Sequence, residues 1–243
     1  MSRFAVRSHA PEIMDDLQCA GEVVHQTLRE LDFINHWLGG NRVTLKGLSL
    51  LIRNQNKIES VHIADLGCGS GEMLKLIHRQ LKATSPAIQL TGIDANPNII
   101  AFAEKHCASV ANIHFKAADI FDPDFQKHVF DIAIATLFLH HFTHDQLVNV
   151  FRTLKTQARI GIVVNDLHRH PLAYYSIKIL TRLFSRSAMV RYDAPLSVLR
   201  GFSRAEIQQM LTEAGIERYT LRWRWAFRWQ LIIHTYENSL PER

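Results

Sequence analysis

Asp65-Leu66-Gly67-Cys68-Gly69-Ser70-Gly71-Glu72 follows a β-branched run and opens an amphipathic one. Glycines at that junction let the backbone turn sharply and approach a ligand without a Cβ in the way. The helix that follows offers free N–H groups and the positive end of its dipole. The spacing is G-x-G-x-G, with Glu72 where a dinucleotide fingerprint would place its third glycine. An acid there is a poor neighbour for a pyrophosphate. Asp65, at the end of the preceding strand, can attract a cationic amino group. The pair suits a zwitterionic, sulfonium-bearing ligand better than a diphosphate.

Working outward, short β-branched runs alternate with helical stretches. Strands are expected at 61–66, 88–93, 113–117, 130–135 and 159–165, with helices at 71–83, 97–110 and 144–156. Asn96-Pro97 supplies an N-cap and a first-turn proline, and Thr143 with Gln146 a capping box. Regular alternation of this kind predicts a parallel sheet with helices on both faces. The second strand ends at Asp94-Ala95, where a carboxylate can accept hydrogen bonds from ribose hydroxyls. The third ends at Asp119-Ile120, an acid for an adenine amino group and an apolar side chain for its ring.

Flanking segments complete the outline. Residues 12–40 carry apolar side chains at helical spacing up to Gly39-Gly40, and a second helix is expected at 43–53. Residues 1–56 therefore form a helical extension or lid, and 57–243 the main domain. Residues 167–201 interrupt the alternation as an inserted helical cap. Ser203-x-x-Glu206 opens a later helix that ends at Gly215. In the tail, Trp223, Trp225, Phe227 and Trp229 share one parity and Arg222, Arg224 and Arg228 the other, which predicts a strand, with a partner strand at 231–236.

As a set, DLGCGSGE (65–72), TGIDANP (91–97), AADIF (117–121), FDIAIATLFLHHF (130–142) and FSRAEIQQMLTEAGI (202–216) resemble the class I S-adenosylmethionine-dependent methyltransferases over roughly residues 60–235. The resemblance implies an α/β Rossmann-like, seven-stranded mixed sheet, mostly parallel with an antiparallel last strand. It implies that Asp65, Gly67, Gly69 and Gly71 hold the methionine portion of the donor, Asp94 the ribose, and Asp119 with Ile120 the adenine, with Thr136 and Leu137 near the methionine end. The segments EIMDD, NHWLGG, NDLHRHPLAYY and VLRGF are similar to a bacterial subgroup related to the quinone-pathway methyltransferases, whose members act on polyketide or lipid-like aromatic metabolites.

Methyl transfer from a sulfonium needs chiefly near-attack geometry and a dry site, and a hydroxyl acceptor gains from a general base. His140 and His141 after the fourth strand, and His168 after the fifth, are the candidate bases, although each also suits a structural role at a strand end. The acceptor pocket is expected between Trp37 of the extension and Tyr174, Tyr175, Phe184 and Met189 of the cap, with Ile179, Leu180 and Leu183 beside them. That lining predicts a small, hydrophobic, aromatic acceptor, methylated at oxygen or carbon. No metal is expected. Thr136-Leu137-Phe138 replaces the first acidic ligand of the catechol-type relatives, and His168-x-His170 lacks a third ligand at informative spacing.

The 243 residues carry 47% hydrophobic and 21% charged side chains, as soluble globular proteins do. Residues 1–166 carry 16 Lys/Arg against 17 Asp/Glu, and residues 167–243 carry 12 against 6, so the net charge of +5 belongs to the last third. A basic cap of this kind could dock on anionic lipid. Nucleic acid is not an expected partner, because the Asn/Asp-Pro-Pro-aromatic motif of nucleic-acid amino methyltransferases is absent after the fourth strand. Three scattered cysteines, Cys19, Cys68 and Cys107, and no apolar leader fit the cytoplasm. Two other readings are a non-catalytic donor-binding subunit of a biosynthetic complex and a nicotinamide oxidoreductase, the latter opposed by Glu72.

Overall fold

Parallel strands covered on both faces read as near-continuous apolar runs, and Ile132, Ala133, Ile134 and Ala135 form such a run. In the computed structural model, which describes residues 3–53, 60–82 and 87–235, they lie in the centre of the sheet. The elements are α1 (Glu22–Trp37), α2 (Gly40–Arg53), β1 (Ser60–Leu66), α3 (Glu72–Leu81), β2 (Ala87–Asp94), α4 (Pro97–Cys107) and β3 (Ile113–Ala117). They continue as β4 (Phe130–Thr136), α5 (His144–Gln157), β5 (Ala158–Leu167), α6 (Pro171–Phe184), α7 (Ala188–Arg200), α8 (Arg204–Glu213), β6 (Tyr219–Arg224) and β7 (Arg228–His234).

The sheet order is β3-β2-β1-β4-β5-β7-β6. All neighbours are parallel as far as β5, and β7 runs antiparallel to both β5 and β6. One face buries Ile63, Leu90, Ile134 and Val163 beneath α2 and α3, and the other buries Leu66, Ala133 and Val164 beneath α5 and α8. The chain reverses its direction of travel across the sheet between β1 and β4, so the carboxyl ends of these strands border the crevice where open α/β sheets bind ligands. No described helix is long and apolar enough to cross a membrane.

Three local expectations are corrected. Residues 12–40 are not one helix. A 3-10 turn at Ile13–Asp15 comes first, and α1 starts only after Gly21, whose φ of +80° breaks the helical path. Gly40 does not end a helix but begins α2, three residues before the expected start. The alternating tail is not one strand. Ala226 and Phe227, at φ +59° and +55°, turn it into a hairpin that sets Trp223 opposite Trp229. Tyr236, expected to end the last strand, lies outside the described residues.

Candidate active site

The site begins with the turn from β1 into α3. Gly67, Gly69 and Gly71 have φ of +66°, +51° and +77°. At Gly67 no other residue fits, because an added Cβ would lie 2.1 Å from the Phe138 ring. Two backbone amides, Gly67 N and Cys68 N, donate to Ile93 O at 2.8 and 3.0 Å, which ties the loop to the end of β2. Asp94 adds a second tie, its carboxylate accepting from Gly69 N at 3.3 Å and Asn96 N at 3.0 Å.

Asp65 is buried, and its Oδ1 has no hydrogen-bond partner among the described residues. Burial first, and then the nearby Asp94, push its carboxyl up to about 8. Burial also raises Asp94 above the usual carboxylate range. Two acids share this end of the cavity, and one has an oxygen without a partner, so a cationic ligand group fits there. S-adenosylmethionine carries one in its amino group, and the residues present fit that donor. Asp119, Ile120, Ala95, Thr136 and Leu137 line the same cavity, as expected from the sequence.

Leu137, at φ +54°, turns the chain out of β4 into a 3-10 turn at Leu139–His141. That turn presents Phe138, His140 and His141 to the cavity. Each imidazole is held through Nδ1 by a carboxylate. His140 Nδ1 lies 2.7 Å from Asp166 Oδ1, and His141 Nδ1 lies 2.6 Å from Asp15 Oδ1. Burial alone would raise both carboxyls, but contacts with His140 hold Asp166 below its ordinary range, and hydrogen bonds from His141 and Arg200 do the same for Asp15. Arg200 also donates to His140 O at 3.2 Å and His141 O at 2.6 Å, clamping the turn from α7.

Glu12 joins this group. Burial pushes its carboxyl up to about 7, and its Oε1 lies 3.7 Å from His140 Nε2. Glu12, His140 and His141 each have a ligand atom within 4.8 Å of the others. Arg200 Nε, 3.6 Å from the same Oε1, already supplies a cation there.

The cavity measures about 820 Å³, within the usual ~300–1,000 Å³ of small-molecule sites. It is walled by Leu28 and Leu31 of α1, Ile177 and Leu180 of α6, Val190 and Val198 of α7, and the hairpin tip. Most of the expected acceptor-pocket residues are elsewhere. Trp37 is 72% exposed and packs beside Phe33 and His36. Tyr175 and Phe184 are 51% and 76% exposed on the outer face of α6, as are Ile179 and Leu183. Tyr174 is buried against Phe4 and Tyr175, away from the cavity, and Met189 is buried without lining it. The residues facing inward on α6 are Ala173, Ser176, Ile177 and Leu180, at helical spacing, and of these only Leu180 was expected. His168 is also off the cavity, packed among His170, Phe227 and Trp229, where burial lowers its pKa.

Several lining residues were not anticipated, among them Glu12, Asp15, Asp32, Asn35, Phe142 and Arg228. Burial pushes the Asp32 carboxyl up to about 6. Glu12, Asp15 and Asn35 do lie in the EIMDD and NHWLGG segments that carry the subgroup resemblance.

A family profile described as a methyltransferase domain matches residues 63–161. No curated protein matches the chain. Among solved structures, the plantazolicin methyltransferase BpumL with bound SAH is 19% identical, at a TM-score of 0.62 over 87% of this chain and 89% of that one. Human N-acetylserotonin methyltransferase with SAM is 19% identical, at 0.62 over 89% of this chain and 56% of that one. The CMeT domain of the citrinin polyketide synthase is 17% identical, at 0.58 over 79% and 51%. This chain thus spans about half the length of the last two.

Proposed function

We propose that this chain, whose residues 63–161 match a methyltransferase-domain profile, is a class I S-adenosylmethionine-dependent enzyme that methylates a hydroxyl oxygen of a small, hydrophobic, aromatic acceptor, with His141 as general base. One observation carries the choice of base. His141 lines the cavity with its side chain 23% exposed and its Nδ1 held 2.6 Å from Asp15 Oδ1, whereas His140 is 3% exposed with both ring nitrogens facing carboxylates.

When bound, S-adenosylmethionine supplies a methyl group made electrophilic by its sulfonium. Asp65 holds the donor's amino group, Asp94 its ribose, and Asp119 with Ile120 its adenine. The aliphatic walls from α1, α6 and α7 keep water out and favour an apolar acceptor. Asp15 fixes the His141 ring with Nδ1 protonated, which leaves Nε2 able to accept a proton. As the acceptor oxygen attacks the methyl carbon, His141 Nε2 takes the hydroxyl proton and the C–S bond electrons remain on sulfur. His140, enclosed between Asp166 and Glu12, positions the turn that carries its neighbour. Three of the structural neighbours are named for acceptors as unlike as N-acetylserotonin, plantazolicin and magnesium protoporphyrin IX, so the fold by itself leaves the acceptor open.

The test is conversion of S-adenosylmethionine to S-adenosylhomocysteine with a panel of naphthols and their already methylated ethers. The naphthols should turn over and the ethers should not. His141→Ala should lower kcat by about 10²–10⁴-fold while keeping S-adenosylhomocysteine affinity, and part of the rate should return above the acceptor's own pKa. Equal turnover by His141→Ala at neutral pH would remove the assignment.

A further inference from the structure

Arg228 begins β7 opposite Leu167 and is 2% exposed. It is the only Lys or Arg among the described residues that line the cavity. Its Nε and Nη1 have no hydrogen-bond partner among the described residues. The guanidinium lies against Gly40, where an added Cβ would sit 2.7 Å from Cζ and 2.8 Å from Nη2. Gly40 is the first residue of the 14-residue helix α2, so a buried cation and the positive end of a helix dipole meet at one place.

Among the described residues no carboxylate forms an ion pair with Arg228, and the neutral amide oxygen of Asn35, on the same side of Gly40, makes no hydrogen bond to it. Asp166 is the acid that favours the charged form of Arg228, but its Oδ1 accepts from His140 Nδ1 at 2.7 Å and Leu167 N at 2.7 Å, and its Oδ2 from His140 N at 3.2 Å. The cap-side acids are likewise engaged. Asp193 accepts from Ile13 N and Met14 N, Asp15 from Arg200, and Glu12 accepts from Ser197 at Oε2 while its Oε1 faces Arg200 Nε at 3.6 Å. Burial lowers the Arg228 pKa to about 10, so it stays charged at neutral pH. A buried, unpaired guanidinium is costly, and a guanidinium fork matches a carboxylate in shape and charge. Both features at this place favour an anion.

We propose that Arg228 and the first turn of α2 form a carboxylate-binding subsite within the cavity. The inference rests on the methyl-transfer reading. Two reactants can bring the carboxylate: the donor in its methionine portion, or an acceptor that is an aromatic acid.

Calorimetry on the full chain separates the sources. In the donor arm, S-adenosylhomocysteine is compared with its decarboxylated analogue, which keeps the amino group. In the acceptor arm, naphthoate is compared with naphthamide on protein saturated with S-adenosylhomocysteine. In the wild type, at least one pair should favour the carboxylate by about tenfold or more, and the pair that responds identifies the source. Arg228→Gln should abolish the preference and Arg228→Lys reduce it. If Arg228→Gln does not fold, the wild-type preference and its reduction in Arg228→Lys decide. Equal affinities in both pairs, or a preference that survives loss of the guanidinium, overturns the subsite. Absence of heat from S-adenosylhomocysteine in the wild type is a separate result, which strikes at donor binding itself and takes the subsite with it.

Discussion

Replacing Asp65 by Asn should strengthen the fold and weaken the enzyme. The Asp65 carboxyl moves from 3.8 in a solvated chain to about 8 when folded without ligand, through burial first and Asp94 second. A carboxyl raised in this way holds a proton that the unfolded chain has already released. Its stabilising effect is therefore complete below about pH 4 and is lost as pH climbs towards 8. At ~1.4 kcal/mol per pH unit the loss reaches roughly 4 kcal/mol by pH 7, and relaxation and the effective interior dielectric reduce this to about 2 kcal/mol. Asn resembles the protonated acid and carries no such slope. In urea titrations without ligand, Asp65→Asn should gain on the wild type by about 2 kcal/mol between pH 5 and pH 8. Donor binding should reverse the order. The amino group of S-adenosylhomocysteine needs the ionised carboxylate, so binding between pH 5 and pH 7 should release protons, measurable by calorimetry in buffers of different ionisation enthalpy. Asp65→Asn should release none and bind about ten- to a hundredfold more weakly, as expected for a lost charged hydrogen bond. A wild-type stability difference that is flat with pH, or equal affinity without proton release, would refute the role assigned to Asp65.

Two further outcomes follow from the packing. Gly67→Ala combines φ +66° with a Cβ 2.1 Å from the Phe138 ring, and should lose about 2 kcal/mol or more in urea titrations and most of its donor affinity; a loss under ~0.5 kcal/mol would mean that the turn relaxes freely. Trp37→Ala, at an exposed position, should change stability and donor affinity by no more than ~0.5 kcal/mol, whereas Leu180→Trp on the inner face of α6 should raise the KM for a naphthol acceptor with the donor Kd unchanged, and the opposite pattern would return Trp37 to the pocket.

The sheet and the end of the cavity at the glycine turn were legible because the signals are local. Strand runs, the glycine turn and acids at successive strand ends each fall within a few residues, and parallel pairing puts Asp65 and Asp94 at one edge. The cap was legible as helix but not as orientation. Helix α6 carries apolar side chains on both faces, with Leu172, Tyr175, Ile179 and Leu183 outward and Ala173, Ile177 and Leu180 inward. Periodicity identifies a helix, but it cannot say which of two apolar faces meets the cavity. The imidazole partners were hidden for another reason. Asp15 and His141 are 126 residues apart, and no spacing rule joins them. The hairpin was misread because a turn built on Ala226 and Phe227 carries neither glycine nor proline, the residues by which such turns are usually recognised.

Electrostatics at the glycine turn separates this site from a dinucleotide site of the same topology. Both place a glycine-rich loop and a helix N-terminus at the reversal point of the sheet. Here Glu72, the first residue of α3, is an ionised acid paired with Lys75 at 2.9 Å and His106 at 3.1 Å. Its contacts hold the carboxyl below its ordinary range although burial works against this, so the charge persists at neutral pH. On the other side of the loop, burial raises Asp65 and Asp94 towards their neutral forms, so these acids offer a pyrophosphate no cation, and ionise at the least cost when a cationic ligand group is bound beside them. The same carboxylates favour a donor that presents an ammonium and a sulfonium to them. A diphosphate draws on the positive helix end, whereas this site surrounds that end with acids. Charge at the loop therefore argues for the proposed adenosyl sulfonium donor over a diphosphate, although both ligand classes share the loop geometry.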